Sequence, residues 1–197
     1  MDNALIVISG PSGVGKGTIV KELLKRDNFA LSVSCTTRAP REGEEDGKSY
    51  FFITKEQFEK MIEEGGFLEY SNHFENFYGT PKAFVEEKLK MQDVLLEIEP
   101  DGALQVKKAY PDVLLIMIAP PSEKELLKRL KKRGSESRKK IKERIARCRY
   151  ELSKKDEYDV AVINDDLQTA VDEIDALIRI HKLNKQAENN KINQGDK

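Results

Sequence analysis

The glycine-rich segment at residues 10–18 constrains this 197-residue chain more than any other feature. It reads Gly-Pro-Ser-Gly-Val-Gly-Lys-Gly-Thr, follows the apolar run at residues 5–8 and precedes apolar residues at helical spacing. Glycines let the backbone curl so that successive N–H groups surround an anion, and the N-terminus of the next helix adds partial positive charge. Lys16 can then reach the β- and γ-phosphates of a nucleotide. The segment therefore predicts a buried strand, a phosphate-binding loop and a helix.

Other apolar runs alternate with helical patterns along the chain. We predict further strands at residues 94–98, 113–118 and 160–163, and helices at residues 104–109, 122–132, 139–152 and 167–183. Such alternation predicts an α/β fold in which helices cover both faces of a parallel sheet. Residues 32–86 alternate more like antiparallel strands and carry polar turns, so they predict a small inserted lobe of mixed β structure.

These patterns predict one domain over residues 4–182. Its core would comprise residues 4–31, 87–120 and 156–182, interrupted by the lobe at about residues 32–86 and by a helical segment at about residues 121–155. Residues 183–197 form a polar tail that we expect to add nothing to the fold.

The helical segment is strongly basic. Residues 120–155 contain fifteen Lys and Arg against five acidic residues, a local balance of +10. One interpretation is a solvated pair of helices, and the other is a lid that closes over a polyphosphate. Arg133 and Gly134 break the pattern where a hinge or lid tip would lie. Charge alone does not separate the two interpretations.

Composition argues against several other classes of protein. The net charge is −1 and aromatic residues make up 7% of the chain with no Trp, so we expect no nucleic-acid partner. The longest apolar run, residues 113–119, is far shorter than the ~20 residues of a membrane span. The first residues lack the basic stretch of a signal peptide, and Cys35 and Cys148 are too few for a disulfide framework. We therefore expect a cytoplasmic protein with two reduced thiols.

Gly17 departs from the commonest form of the phosphate loop, in which a Ser or Thr hydroxyl binds Mg²⁺ at that position. Thr18 follows one place later. Because Mg²⁺ usually retains several waters, the departure does not exclude a metal-dependent reaction. The Gly-Lys-Gly-Thr ending resembles that of nucleoside monophosphate kinases. A GTPase would need a guanine-reading Asn-Lys-x-Asp segment, and the nearest string, residues 184–187, lacks the Asp.

A second set of motifs resembles the guanylate kinases. Residues 32–44 read Ser-Val-Ser-Cys-Thr-Thr-Arg-Ala-Pro-Arg-Glu-Gly-Glu, and residues 46–52 read Asp-Gly-Lys-Ser-Tyr-Phe-Phe. The resemblance continues in order through residues 67–70, 76–80, 97–99, 118–122, 133–134 and 162–165, so it covers about residues 4–182. It implies a P-loop three-layer α/β/α core with an inserted GMP-binding lobe and a helical lid. It also implies transfer of the γ-phosphoryl group of ATP to GMP with Mg²⁺, giving ADP and GDP, in purine nucleotide salvage and GTP supply.

The resemblance also implies roles for individual residues. It places ATP against Gly10, Pro11, Ser12, Gly13, Val14, Gly15, Lys16, Gly17, Thr18 and Asn164. It places GMP against Ser34, Arg38, Arg41, Tyr50, Glu69, Tyr78, Thr80 and Glu99. It gives catalytic roles to Lys16, Arg38, Arg133 and Arg144. It places Mg²⁺ near Thr18 and Glu97, with Glu97 acting through water. The alternative for Glu97 is a charged side chain that simply faces solvent at the end of a strand, and the sequence favours neither.

The residue types at the GMP site suit its chemistry. Arg38 and Arg41 can hold one phosphate with forked hydrogen bonds, although ion pairs with nearby glutamates are the alternative. A carboxylate such as Glu69 or Glu99 accepts the N1–H and N2–H₂ donors of guanine, whereas the unprotonated N1 of adenine would leave it unpaired. A buried site of this kind can discriminate by about 10⁴-fold. By the resemblance, Ser34 would reach O6; the family often has Asp where this chain has Glu99.

Three other functions compete with the kinase. Guanylate-kinase-like domains of scaffold proteins bind peptides after losing phosphate contacts, but here Lys16, Arg38 and Arg144 are retained. A kinase for another monophosphate would not explain the pairing of Glu69 with Glu99. Nucleic-acid binding would need aromatic platforms that the basic segment lacks. We expect ATP and GMP as the partners, no membrane, a monomer or homodimer, and closure of the lobe and lid when both nucleotides bind.

Overall fold

Two β-sheets organise the computed structural model, which describes residues 3–26, 29–73, 75–132 and 138–195. The strands are β1 (Leu5–Ser9), β2 (Phe29–Leu31), β3 (Cys35–Thr36), β4 (Phe51–Phe52), β5 (Phe67–His73), β6 (Asn76–Pro81), β7 (Asp93–Glu97), β8 (Leu114–Ala119) and β9 (Val160–Ile163). The larger sheet is parallel in the order β2-β7-β1-β8-β9, and the smaller has the order β4-β3-β6-β5.

Helices surround the larger sheet and extend the smaller one. They are α1 (Lys16–Leu23), α2 (Lys55–Glu63), α3 (Lys82–Leu89), α4 (Pro100–Ala109), α5 (Glu123–Lys132), α6 (Arg138–Ser153) and α7 (Leu167–Gly195). In the described part of the chain, no helix is both long and apolar enough to cross a bilayer.

The central strand β1 shows why the sheet is covered on both faces. All five of its residues are buried, so its sequence is apolar without alternation. Ile6 and Ile8 pack in one cluster with α1 and α7, whereas Leu5 and Val7 pack in a second cluster with α3 and α4. The predicted α/β fold with a three-layer arrangement is confirmed.

Parallel pairing brings the carboxyl ends of the strands to one edge. Ile8 of β1 pairs with Glu97 of β7, and Ala119 of β8 pairs with Ile163 of β9. The glycine loop, the acidic residues after β7 and Asn164 after β9 therefore leave the sheet at the same edge. Ligands of open α/β sheets bind outside this edge.

The inserted lobe has its own aromatic core. β3 pairs parallel with β4 and antiparallel with β6, so the predicted mixed β structure is present. The helix α2, which we did not predict from the sequence, begins with a capping box between Thr54 and Gln57. Phe58 of α2 is fully buried, and its ring stacks on those of Phe67 and Phe77 at centroid distances of 4.3 and 5.3 Å.

The two helices of the predicted lid are anchored in the main core. Leu126 and Leu130 of α5 and Cys148 of α6 are almost fully buried in the cluster that contains Ile6. Arg133 and Gly134, where we predicted a hinge, lie outside the described residues.

The C-terminal helix departs from the sequence prediction. The apolar pattern ended at Leu183, but α7 continues to Gly195. Lys182 forms an ion pair with Asp93 at 2.6 Å, and Lys185 lies 3.8 Å from Asp112. Residues past Leu183 therefore do contact the fold, contrary to our expectation for the polar tail.

Candidate active site

The glycine loop turns at residues with positive φ. Gly13 and Gly15 have φ of 91° and 99°, a conformation that glycine adopts without strain. Gly15 is also the N-cap of α1, and a β-carbon there would lie 2.5 Å from the Asn164 side-chain nitrogen. Glycine is therefore required twice over at residue 15, for conformation and for space.

Lys16 lies at the start of α1 and reaches back over the loop. Its Nζ donates to the carbonyl of Gly10 at 2.5 Å. Burial lowers the pKa of Lys16, and the negative charges of Glu97, Glu99 and Glu151 oppose that shift. The ammonium group is thus held at the sheet edge among carboxylates, in place to meet a phosphate.

The helix α6 contacts the loop from the other side. Arg144 donates from Nη2 to Ser12 Oγ at 2.6 Å. The Cys148 thiol, one turn later, lies 3.7 Å from the carbonyl oxygen of Ser12. Of the two arginines predicted to meet the transferred phosphoryl group, Arg144 is therefore beside the loop, and Arg133 lies outside the described residues.

The Asn164 side chain is hydrogen-bonded to the glycine loop. It is buried, and its amide donates to the carbonyl of Val14 at 2.7 Å. Arg129 of α5, which the sequence analysis did not single out, donates to the Asn164 carbonyl at 3.0 Å. A cavity of about 510 Å³ opens here; its lining residues are Gly13, Gly15, Thr18, Arg129, Asn164, Asp165 and Leu167.

Thr18 and Glu97, the two residues predicted to lie near a metal, are both next to Gly17, Thr18 in sequence and Glu97 in space. Thr18 is exposed and lines the cavity beside Asn164, which Glu97 does not line. Glu97 instead faces Gly17, where a β-carbon would lie 3.3 Å from Oε1 and 3.4 Å from Oε2. A carboxylate thus occupies the neighbourhood in which the commonest loop places a hydroxyl.

Arg38 is the centre of the predicted phosphate site in the lobe. Its two Nη atoms donate to the two oxygens of Glu44 at 3.0 and 2.9 Å, and the side chain is 14% exposed. The bonds to Glu44 and Tyr78 raise the pKa of Arg38. The rings of Tyr50 and Tyr78 meet edge to face at 6.0 Å, with the guanidinium 5.6 Å from the Tyr50 ring.

Glu44 also orients the second arginine. Its Oε2 accepts from the backbone N–H of Arg41 at 2.7 Å, while the Arg41 side chain is exposed. The structure thus brings Arg38, Tyr50 and Tyr78 together and places Arg41 beside them through Glu44. The ion pair with a nearby glutamate, which we gave as the alternative for Arg38, does form with Glu44, and it holds the Arg38 guanidinium in place.

Glu69 and Thr80 form a buried pair on the neighbouring strands β5 and β6. Thr80 Oγ1 donates to Glu69 Oε1 at 2.6 Å, and Glu69 is 6% exposed. Burial raises the pKa of the Glu69 carboxyl to about 7, and the charge of Glu99 adds to the effect. Ser34, just before β3, accepts at its carbonyl from the N–H of Phe51.

Glu99 is the residue at the N-cap position of α4, and its side chain pairs with a residue that we did not predict from the sequence. Arg147 of α6 donates from Nη2 to Glu99 Oε2 at 2.6 Å and from Nε to Glu151 Oε1 at 2.8 Å. Nothing in the spacing of the basic residues distinguishes Arg147 from its neighbours on α6. Only the ion pair with Glu99, seen in the folded structure, distinguishes it.

Comparisons with known proteins identify the family. The family model described as guanylate kinase matches residues 2–181. A guanylate kinase of Clostridioides difficile is 53% identical over 90% of this chain and 88% of its own length, and one of Prochlorococcus marinus is 52% identical over 90% and 97%. The crystal structure of guanylate kinase from Anaplasma phagocytophilum superposes with a TM-score of 0.73 at 32% identity, covering 91% of this chain and 86% of that one.

Proposed function

The chain belongs to the guanylate kinase family and is an ATP:GMP phosphotransferase, and from that premise we propose which residues perform each part of the reaction. One observation supports the assignment most directly. The buried pair of Glu69 and Thr80 comes close to the start of α4, where Glu99 lies, since a β-carbon placed on Gly102 of α4 would meet the Glu69 carboxylate. The charge of Glu99 acts on both Glu69 and Lys16, which supports a single site that holds the base of GMP close to the phosphate loop.

The acceptor nucleotide is held at its two ends. Glu69 and Glu99 accept the N–H groups of the guanine edge, with Ser34 at O6 and Thr80 behind the exocyclic amine. Arg38 and Arg41 donate to the phosphate, together with the hydroxyls of Tyr50 and Tyr78. Because Arg38 is already held in a fixed geometry by Glu44, little conformational freedom is lost when the phosphate binds.

The donor nucleotide lies along the glycine loop. Backbone N–H groups of residues 10–18 and the N-terminus of α1 bind its phosphates. The cavity beside Thr18, Arg129 and Asn164 has the size and position to receive the adenine. Lys16, Arg144 and Arg133 then stabilise the charge that spreads over the transferred phosphoryl group.

Magnesium fits this site through one protein carboxylate. Among the described residues there is no group of three or more His, Cys, Asp or Glu that could hold a metal ion. Mg²⁺ is commonly bound by one or two carboxylates, several waters and the phosphates of the substrate, and the position of Glu97 against Gly17 suits that mode. Bound there, the ion would neutralise charge on the β- and γ-phosphates; Thr18 contacts the donor nucleotide instead.

We propose that the chain acts in purine nucleotide salvage, where it supplies GDP for GTP, and that it works in the cytoplasm as a monomer or homodimer. We propose no catalytic residue that forms a covalent bond to substrate, because in-line phosphoryl transfer needs positioning and charge stabilisation.

A panel of acceptors tests the proposal. ADP production would be measured from ATP and Mg²⁺ with GMP, AMP, CMP, UMP or no acceptor, alongside the Lys16→Ala variant. Turnover with GMP alone, lost in Lys16→Ala, is the expected result. Turnover with AMP would overturn the roles of Glu69 and Glu99, whereas GMP binding without turnover would favour a binding module.

A further inference from the structure

Arg147 links the lid helix to the guanine-reading edge. Its Nη2 donates to Glu99 at 2.6 Å and its Nε donates to Glu151 at 2.8 Å. The Glu99 side chain is 50% exposed, whereas that of Glu151 is only 8% exposed. One guanidinium therefore joins a carboxylate at the mouth of the site to a carboxylate buried beneath it.

The part of α6 that carries Arg147 is fixed in place. Lys154, just beyond α6, forms an ion pair with Asp101 in the first turn of α4. Cys148 is 2% exposed and packs in the main core beside the glycine loop. Two ion pairs thus tie α6 to the start of α4, so Arg147 presents its guanidinium from a rigid support.

We propose that Arg147 is a positioning residue for guanine recognition, which holds the Glu99 carboxylate toward the base from the lid helix. The proposal rests on the guanine-reading role given above to Glu99. A glutamate has one more rotatable bond than the aspartate common in the family, and an unrestrained glutamate loses rotamer freedom when it binds a ligand. The bond from Arg147 removes that freedom before GMP arrives.

The positive charge of Arg147 has a second effect. Glu97, Glu99 and Glu151 all act electrostatically on Lys16, so carboxylates crowd the region in which two anionic nucleotides must meet. Arg147 offsets the charges of Glu99 and Glu151. Its loss would therefore weaken GMP binding through the orientation of Glu99 and through repulsion.

Three variants test the role of Arg147. In Arg147→Ala, Glu99 is unrestrained in the free protein and must lose its rotamer freedom when GMP binds. We therefore expect the KM for GMP to rise about three- to tenfold, with kcat and the KM for ATP changed less than about twofold. Arg147→Lys should recover part of this loss because it restores a cation. The matched control is Arg149→Ala, since Arg149 makes an equally close forked pair with Glu123 of α5, away from the site. An unchanged KM for GMP in folded Arg147→Ala would overturn the proposal.

A structural role for Arg147 predicts a different outcome. Removing Arg147 also leaves the buried Glu151 without its cation, which lowers stability whatever happens at Glu99. The double variant Arg147→Ala/Glu151→Gln removes that buried charge and should recover the melting temperature. If the raised KM for GMP persists in this double variant, Arg147 acts through Glu99; if the KM returns to normal with the melting temperature, the proposal is wrong.

Glu99→Gln separates this inference from the proposed function. A raised KM for GMP in Glu99→Gln together with a normal KM in Arg147→Ala would overturn only the role of Arg147. A normal KM in Glu99→Gln would overturn the guanine-reading role of Glu99 and this inference with it. In the Glu99→Gln background, Arg147→Ala should raise the KM for GMP by much less than it does in wild type, since only the repulsion from Glu151 would remain.

Discussion

The Glu69 carboxylate packs directly against Gly102, where a β-carbon would lie 2.5 Å from Oε2 and 3.0 Å from Cδ. Gly102 lies in the first turn of α4, whose N-cap is Glu99. The missing side chain at residue 102 therefore lets Glu69 of β5 approach the same helix end as Glu99. This close approach explains how acids that are thirty residues apart in sequence can read one base.

The first prediction concerns Gly102→Ala. The new methyl group must displace the Glu69 carboxylate, which Thr80 holds at 2.6 Å. We expect the KM for GMP to rise about tenfold or more, because a buried acceptor that misses its donors loses most of its discrimination. Steady-state kinetics with GMP varied, then with ATP varied, would measure it.

The KM for ATP serves as the internal control for Gly102→Ala, because the three atoms nearest a β-carbon at residue 102 all belong to Glu69. In an exposed helix Ala would be more stable than Gly by about 1 kcal/mol, so thermal unfolding shows whether the crowding at Glu69 outweighs that gain. A normal KM for GMP in this variant would mean that Glu69 does not read the base.

The second prediction follows from the carboxyl of Glu69, whose pKa burial raises to about 7. Below that pH the group is protonated and accepts one hydrogen bond fewer. We expect kcat/KM for GMP to fall as the pH drops below about 7, more steeply than kcat/KM for ATP. The phosphate of GMP itself takes up a proton near pH ~6. The Glu69→Gln variant, which keeps only the phosphate titration, separates the two effects.

The same group also makes stability depend on pH. Between its ordinary pKa of 4.5 and about 7, the folded carboxyl holds a proton that the unfolded chain releases. Stability therefore decreases as the pH rises through this window, by on the order of 3 kcal/mol for this group. Denaturant unfolding of wild type and Glu69→Gln should show the variant gaining relative stability toward about pH 8. Parallel stabilities at all pH values would contradict the raised pKa.

The sequence predicted the parts of this molecule that depend on local pattern. The run from Leu5 to Ile8 is apolar without alternation, and the sheet indeed buries both faces of β1. The glycine loop was predicted because its spacing requires positive φ at Gly13 and Gly15. We could single out Glu97 and Glu99 because they are two residues apart at the end of one predicted strand, so both side chains point the same way.

Contacts between distant elements were beyond the sequence. Arg147 is one of many cations on a basic helix, and only the tertiary fold brings it within 2.6 Å of Glu99. Gly102 gave no signal because its importance comes from Glu69, on another strand. We expected the tail to add nothing to the fold because it is polar, but Lys185 lies 3.8 Å from Asp112, so an ion pair ties the polar end of α7 to the fold.

The third prediction concerns magnesium at Glu97. In Glu97→Gln the amide cannot attract the cation or its waters as a carboxylate does, so we expect the Mg²⁺ concentration for half-maximal rate to rise about tenfold or more. The loss of charge also lowers the pKa of Lys16 further, since Glu97 opposes the effect of burial there. Titrating Mg²⁺ at fixed ATP and GMP measures the change. Glu86→Gln, on the exposed face of α3, is the control and should match wild type.

The fourth prediction concerns the reaction step at Arg144. Its guanidinium lies 2.6 Å from Ser12 Oγ and comes from the anchored part of α6, so it is positioned without closure of any other segment. In Arg144→Ala we expect kcat to fall by about 10³-fold, because an arginine that stabilises a transferred phosphoryl group contributes on that scale. The KM values for both nucleotides should change only a few-fold, since this interaction strengthens in the transition state.

Arg144→Lys and Ser12→Ala distinguish direct action from orientation of the loop. Lysine keeps the charge but loses the planar fork, so kcat should stay well below wild type. If Arg144 acted only by holding Ser12, Ser12→Ala would lower kcat as much as Arg144→Ala does. We expect instead a small effect, because the loop binds phosphate mainly through backbone N–H groups. A kcat for Arg144→Ala within about tenfold of wild type would contradict the assignment and transfer the role to Arg133.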